Sequence, residues 1–404
     1  MSMPVAVRKM NEARALEALF SKGIMSRADI ARVLELTRST ASSIVASLIS
    51  EGQVQEVSAD NSDREQKTGR PGISLRLNPD YAFYLGADVG AKDLRLCVLD
   101  FAGTLRAEVT HRFDKPNPSS EVVSARLAEM VEKACADLPD QAAVKGLNVA
   151  IPGIVDLTGD ILRAPPLNWR KVPFREQLAK AMGEMPVHKL INDANAFAVA
   201  QLRRPDLIDT QDAVFLLMDD GVGGCILSGG RLLEGTTGLA AEIGHMPIGT
   251  KGHCNLTGIH GAFENYVSRP AILAHYANLG RQATSLTAFL AALDQGDAAA
   301  QKVLSVWTQD FARGLAILTT LLNPARIVIG GRVAEMARRT EGDLLGALRD
   351  HLLEETPPPV LELTGTSGEG PAVGAAMTLH HQHFAQFGPL GSGRPELLGA
   401  DHSA

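Results

Sequence analysis

Apolar positions recur along the first 78 residues at helical spacing and then at alternating spacing. Leu16, Leu19 and Phe20 share one face of a helix expected from about Val7 to Phe20. Ser26 with Asp29 three residues later reads as a capping-box start, and Ile30, Val33 and Leu34 recur behind it until Glu35-Leu36 makes a tight turn. Thr37 then caps a second helix whose Ile44, Val45, Leu48 and Ile49 face inward, and Gly52 ends it. "QVQEVS" and "ISLRLNP" alternate as strands do, on either side of the polar loop "ADNSDREQKTGRPG". Helix, helix-turn-helix and a two-stranded wing is the order of a winged helix-turn-helix, whose last helix reads the DNA major groove. A small helical interaction module produces the same pattern.

From Tyr81 the texture changes. "YLGADVGAKDLRLCVLDFAGTL" reads as strand, turn at Gly90, strand and turn at Gly103, a hairpin with Asp88 at its mouth. A helical stretch from about Ser119 to Leu138 leads to the strand of "GLNVAIPGIVD". "HKLINDANAFAVAQLRR" is a buried strand opening directly into a helix, with Asn192, Asp193 and Asn195 at the junction, and polar side chains in that position face ligand clefts. "AVFLLMDDGVGGCILSGGRLL" repeats strand, glycine turn and strand; "LNPARIVIGGRVAE" adds a strand and "GEGPAVGAAMTLHH" opens a small-residue helix. Two halves on one hairpin-first plan predict two related lobes around a cleft. The Gly/Pro-rich end, "FGPLGSGRPELLGADHSA", reads as a disordered tail.

At 404 residues the chain is long enough for two or three domains. Its 45% hydrophobic and 21% charged content is that of a soluble globular protein, and no apolar run approaches the ~18 residues of a membrane span. "MSMPVAVRKMNEARALEALF" lacks the continuous apolar stretch of a signal peptide, so a cytoplasmic location is expected. Cys97, Cys135, Cys225 and Cys254 are too scattered for a disulfide framework or a paired metal motif. The net charge of −7 argues against a nucleic-acid coat protein, yet residues 1–78 hold 11 Lys+Arg against 9 Asp+Glu while the remainder holds 28 against 37. Only the head leans toward DNA.

Small and hydroxylated residues crowd the start of the second head helix, where close approach to phosphates and base edges is needed. Thr37, Arg38, Ser39, Thr40, Ser42 and Ser43 are the candidate DNA contacts, joined by Arg70 of "KTGRPG", which suits a narrow minor groove or a solvated wing tip. The glycines of "MDDGVGGCILSGG" allow main-chain amides to converge on a phosphate. Asp219 and Asp220 oppose that use, because two carboxylates beside a triphosphate cost several kcal/mol unless metals screen them.

Ordered motifs along nearly the whole chain resemble the ROK family (repressors, open reading frames and sugar kinases), in its N-acetylglucosamine/xylose repressor branch. They are the head pattern, "GRPG" leading to "LRLNPD", "DVG" at Asp88, "AIPGIVD" near Pro152, "INDANA" at Asn192, "GLAAEIGHMPIG" around Glu242 and His245, "GAFENYVS" at Glu264, and "NPARIVIGG". The resemblance implies an α/β fold: an N-terminal winged helix-turn-helix, residues 1–78, followed by a two-lobed actin/hexokinase-like (ribonuclease H-like) domain. Lobe 1 is expected at 79–195 with a C-terminal helix 371–386, lobe 2 at 196–370, and the tail at 387–404.

Carried over by position, the family's sugar contacts fall on Asn192, Asp193, Glu242, His245 and Glu264, with Asn168 of "PPLNWRKVP" as a further candidate. Carboxylates and amides suit a ring of hydroxyls, each both donor and acceptor. The family's kinases use the aspartate at the position of Asp193 as general base, but here Ala91-Lys92 and Asp219-Asp220-Gly221 replace the small and hydroxyl residues of the two phosphate loops. No catalytic residue is therefore assigned. The family's zinc site is expected to be lost: its cysteine positions read Asn255, Thr257 and Ala262, leaving only His245, while His253, Cys254 and His260 with His245 offer an irregular donor set. The expected partners are double-stranded operator DNA, a monosaccharide or amino-sugar effector and a second copy or more in a homodimer or homotetramer, with no membrane and no cofactor. The main alternative is an ATP-dependent sugar kinase beside a DNA-binding head; a non-DNA interaction protein is the third.

Overall fold

The computed structural model describes residues 3–57, 73–139, 143–156, 158–204, 206–207, 209–365 and 370–385. Arg70 and the expected tail lie outside them. At the N-terminal end, α1 (Met3–Lys22), α2 (Arg27–Val33) and α3 (Arg38–Ser50) bury Leu16, Leu19, Ile30, Ile44, Val45 and Leu48. Ser26 and Asp29 form the reciprocal capping box of α2, and Thr37 Oγ1 accepts the Thr40 amide at the start of α3. Two paired strands were expected after them, and three are present: β1 (Met25–Ser26), β2 (Val54–Val57) and β3 (Ser74–Leu77) form an antiparallel sheet in the order β1-β3-β2. The additional strand has a local cause. An N-cap residue takes extended dihedrals, and Ser26 at φ −88° and ψ 162° brings Met25 into line with β3.

The next segment contains β4 (Ala82–Val89), β5 (Asp93–Asp100), β6 (Leu105–Arg112), α4 (Ser120–Ala136) and β7 (Ala143–Ile151). It continues through β8 (Ile154–Val155), β9 (Ile161–Ala164), β10 (Trp169–Val172), α5 (Phe174–Met182), β11 (Val187–Asn192) and α6 (Asp193–Gln201). The following segment holds β12 (Ala213–Met218), β13 (Val222–Ser228), β14 (Arg231–Leu232), α7 (Glu264–Val267), α8 (Arg269–Asn278), α9 (Leu286–Asp294) and α10 (Ala298–Leu322). It ends with β15 (Arg326–Gly330), α11 (Ala334–Arg339), α12 (Glu341–Arg349), β16 (Val360–Leu363) and α13 (Pro371–Ala385).

Both large sheets have five strands and one topology. The orders β11-β7-β4-β5-β6 and β14-β13-β12-β15-β16 each join an antiparallel three-strand meander to two strands added in parallel. The hairpin-first repeat seen in the sequence is thus a repeat of whole sheets. β8, β9 and β10 form a small antiparallel sheet beside the first.

Between the large sheets lie α6 and α13. They cross so closely that a Cβ on Gly374 would stand 1.6 Å from the Ala196 carbonyl oxygen, which is why both contact faces are built of alanine and glycine. α6 runs unbroken through residues 195 and 196, where the sequence placed the passage from one lobe to the other. One apolar cluster joins the N-terminal helices to β4, β5, α6 and α13; a second packs α10 and α12 under the later sheet, and a third packs α4 and α5 under the first.

Candidate functional site

The apolar end of β11 delivers Asn192 and Asp193 to the junction of the two sheets. Asn192 is the N-cap of α6: its Oδ1 accepts the amides of Ala194 (3.0 Å) and Asn195 (3.1 Å), while its Nδ2 donates to the Gly153 carbonyl at 2.9 Å. Most of its hydrogen-bonding capacity therefore fixes the junction, leaving one N–H for a ligand. Asp193 begins the helix, with Oδ1 taking the Ala194 amide at 2.9 Å. Burial, with Asp88, Asp219 and Glu242 as neighbouring negative charges, pushes its carboxyl well above the usual range. Asp88, at the mouth of the first hairpin, is raised to about 6 by burial, with Arg95 opposing and Asp219 and Asp93 reinforcing.

Opposite them, Glu242, Ile243, Gly244 and His245 form a tight turn that places two polar side chains on one face. His245 stands between two glutamates: its Nδ1 is 3.5 Å from Glu242 Oε2 and its Nε2 is 3.8 Å from Glu264 Oε1. Burial and the nearby Arg163 lower the imidazole, so it is neutral at neutral pH and offers one donor and one acceptor. Burial raises Glu242, and it raises Glu264 to about 6 against the pull of Thr257 and the Val222 amide. Glu264 is 5% exposed, and its Oε1 is a buried acceptor without a hydrogen-bond partner. An unfilled acceptor at that depth is costly unless a ligand supplies the donor.

The glycines of "DDGVGG" serve this arrangement. A Cβ at residue 223 would come within 2.9 Å of Ala194 Cβ and 3.7 Å of Asp193 Oδ1, and one at residue 221 within 3.3 Å of Glu264 Oε2. Bare backbone lets β13 pass between the two carboxyl groups. The carboxylates that the sequence places at the mouth of this loop have arginine partners: Asp219 pairs with Arg332 at 2.7 Å and Asp220 pairs with Arg269. Asn168 lies between β9 and β10. It is exposed, in left-handed conformation at φ 59° after the turn Pro165–Leu167, and among the described residues no hydrogen bond joins it to the other candidates.

The segment 252–263 is organised around Asn265, which is fully buried. Asn265 Nδ2 donates to the Ile259 carbonyl (2.8 Å), its Oδ1 accepts the Leu256 amide (3.1 Å), and its carbonyl accepts the His253 amide (2.8 Å). The four residues of the irregular donor set diverge. His253 stacks on His275 at 4.0 Å and faces Asp310, Cys254 Sγ points to the Asn265 carbonyl, His260 is exposed, and His245 faces the glutamates. Among the described residues no group of three His, Cys, Asp or Glu side chains is placed to hold a metal ion. Asn255, Thr257 and Ala262 supply no metal-binding nitrogen or thiolate, so the donors here do not fit a tetrahedral zinc site.

At the N-terminal end, Arg38, Ser39, Thr40, Ser42 and Ser43 are all exposed on α3, opposite buried Ala41, Ile44, Val45 and Leu48. Thr37 is exposed too, with its hydroxyl turned toward Ser39 and Thr40.

Fold and site together define a mixed α/β protein in which two sheets of one topology carry a cluster of carboxyl groups beside a neutral histidine. The chain belongs to the ROK family, which it matches over residues 84–382. It is 25% identical over 343 residues to a xylose repressor of Caldicellulosiruptor bescii, covering 81% of this chain and 84% of that one. It is also 25% identical over 350 residues to the DNA-binding transcriptional dual regulator NagC of Escherichia coli K12, covering 81% and 82%. A crystal structure of a ROK family transcriptional regulator, a homologue of the E. coli MLC protein, superposes with a TM-score of 0.75 at 23% identity over 95% of this chain and 98% of that one.

Proposed function

We propose that this chain is a sugar-responsive transcriptional repressor whose effector is bound and not phosphorylated. Residues 1–78 act as a winged helix-turn-helix on operator DNA, with Thr37, Arg38, Ser39, Thr40, Ser42 and Ser43 of the reading helix, and Arg70, at the contacts. Lobes 79–195 (with helix 371–386) and 196–370 hold a monosaccharide or amino sugar among Asn192, Asp193, Glu242, His245 and Glu264, with Asn168 at the edge. The observation that carries the reading is Glu264 Oε1, a buried acceptor with no hydrogen-bond partner beside a neutral histidine and within a group of carboxyls, a set that suits neighbouring hydroxyls. The names of the relatives, a xylose repressor and NagC, support it. The arginine pairs on Asp219 and Asp220 support the absence of phosphoryl transfer, since carboxylates fill the positively charged part of the glycine loop's surroundings. No described helix is long and apolar enough to cross a membrane. A homodimer or homotetramer spaces two reading helices about one DNA turn apart, and closure of the lobes alters that spacing.

Thermal-shift screening against monosaccharides identifies the effector, because a ligand at 100 times its Kd stabilises the fold by about 2.7 kcal/mol. That effector is then expected to change binding to the chain's own promoter fragment, and Arg38→Ala to weaken that binding and lower its salt slope by about 1. Asp193 favours the kinase alternative. Mg-ATP-dependent turnover of the effector, abolished by Asp193→Ala, would establish the kinase and overturn the non-phosphorylating reading.

A further inference from the structure

Asp219 takes two donors from a single residue. Its Oδ1 accepts the main-chain N–H of Arg332 at 3.0 Å and the Nε–H of the same arginine at 2.7 Å. Both are presented by the turn that follows β15. Gly331 holds φ +87° there, and a Cβ on it would come within 2.3 Å of the Met218 carbonyl oxygen, so this turn lies directly against the end of β12. The Val333 amide donates to that same carbonyl at 3.0 Å. Beside it, Asp220 pairs with Arg269 and lies 4.0 Å from Arg332, while the Arg269 amide donates to the Asp219 carbonyl at 2.9 Å. A main-chain amide and a guanidinium converging on one anionic oxygen, with a second guanidinium alongside, is the donor set that binds phosphate.

We propose that Asp219 is a built-in anion occupying a phosphate-type receptor made by Arg332 with Arg269 beside it. The occupant and the receptor come from different turns of the later sheet, so the carboxylate fastens the β12–β13 turn to the β15–α11 turn, while the Arg269 amide on the Asp219 carbonyl joins the same turn to the start of α8. Free phosphates compete poorly because the tethered carboxylate acts at a high effective concentration. The assignment deepens the non-phosphorylating reading of the pocket and rests on it, since a carboxylate seated on these donors leaves them unavailable to a nucleotide phosphate.

The test is a thermal melt of the full chain titrated with inorganic pyrophosphate. The wild type is expected to show only the gradual, non-saturating stabilisation that excluded multivalent anions give any fold. Asp219→Ala should melt about 2–4 °C lower, the shift expected of one lost interaction in a domain of this size, and should regain most of that difference saturably as pyrophosphate is added. Asp219→Asn, which keeps shape and acceptor but not charge, should show the same saturable response from a smaller deficit, and it serves if the alanine variant does not fold. Adding Arg332→Ala to either variant should abolish the response. Saturable pyrophosphate binding by the wild type equal to that of the variants, or variants that respond no more than the wild type, would overturn the assignment. Phosphoryl transfer to a sugar by the wild type would instead defeat the reading beneath it, so the two failures are distinct.

Discussion

Glu264 concentrates the chemistry of the pocket in one carboxyl group. Its ordinary value is 4.5 and burial raises it to about 6, so it is largely protonated at pH 5 and ionised at pH 7. A ligand hydroxyl donates more strongly to the carboxylate than to the neutral acid, and effector affinity is expected to rise by up to about tenfold from pH 5 to pH 7, measured by calorimetry. Stability of the unliganded chain runs the other way. A carboxyl raised by folding contributes fully below its ordinary 4.5, and that contribution is lost as pH rises through about 6. Glu264→Gln should flatten the binding profile and weaken binding about ten- to hundredfold, the range for a hydrogen bond to a charged group. Glu264, Glu242 and His245 are reached in the sequence through the family resemblance, and the setting of Glu242 among Ala, Ile and Gly adds to it. Arg332 and Arg269 are not, because they lie 113 and 49 positions from the aspartates that give them meaning. Asn265 escapes notice for a different reason: an amide following Glu264 carries no chemical signature until the loop wraps around it.

Helices α6 and α13 pack against each other between the two large sheets. Each is readable from composition, "DANAFAVA" and "PAVGAAMT", but the crossing that makes them a pair depends on backbone contact between Ala196 and Gly374, which no periodicity encodes. Gly374→Ala forces a methyl group onto the Ala196 carbonyl. It is expected to destabilise the chain by about 1–3 kcal/mol in urea unfolding, as overpacking does in a filled core. Short strands were hidden as well: β1, β8 and β14 have two residues each, too few for alternation to register. The long strands and the capped helices of the N-terminal end were legible because their signals are local, an N-cap hydroxyl or a run of alternating apolar residues.

The N-terminal helices do not hang free of the rest. Phe20 of α1 meets His380 at 4.8 Å and Phe384 at 5.7 Å on α13, and its ring presses on Gly103, whose carbonyl accepts a hydrogen bond from Arg203, just beyond the end of α6. α13 therefore packs directly on Phe20, and the residues just after α6 reach it through Gly103. Phe20→Leu keeps apolar bulk and removes the ring stacking. Its expected outcome is near-normal promoter binding in fluorescence anisotropy with a diminished response to effector, below the roughly 5- to 150-fold change that a coupling of ~1–3 kcal/mol gives.

Under the proposed function the effector and the operator share a single thermodynamic cycle, for which the Phe20 contacts supply a route. Whatever factor the sugar takes from the grip on the operator, the operator takes from the grip on the sugar. Copies resting on a strong operator then answer only to a higher dose than copies resting on a weak one. Promoters of graded strength would open in sequence, weakest first, as the sugar accumulates.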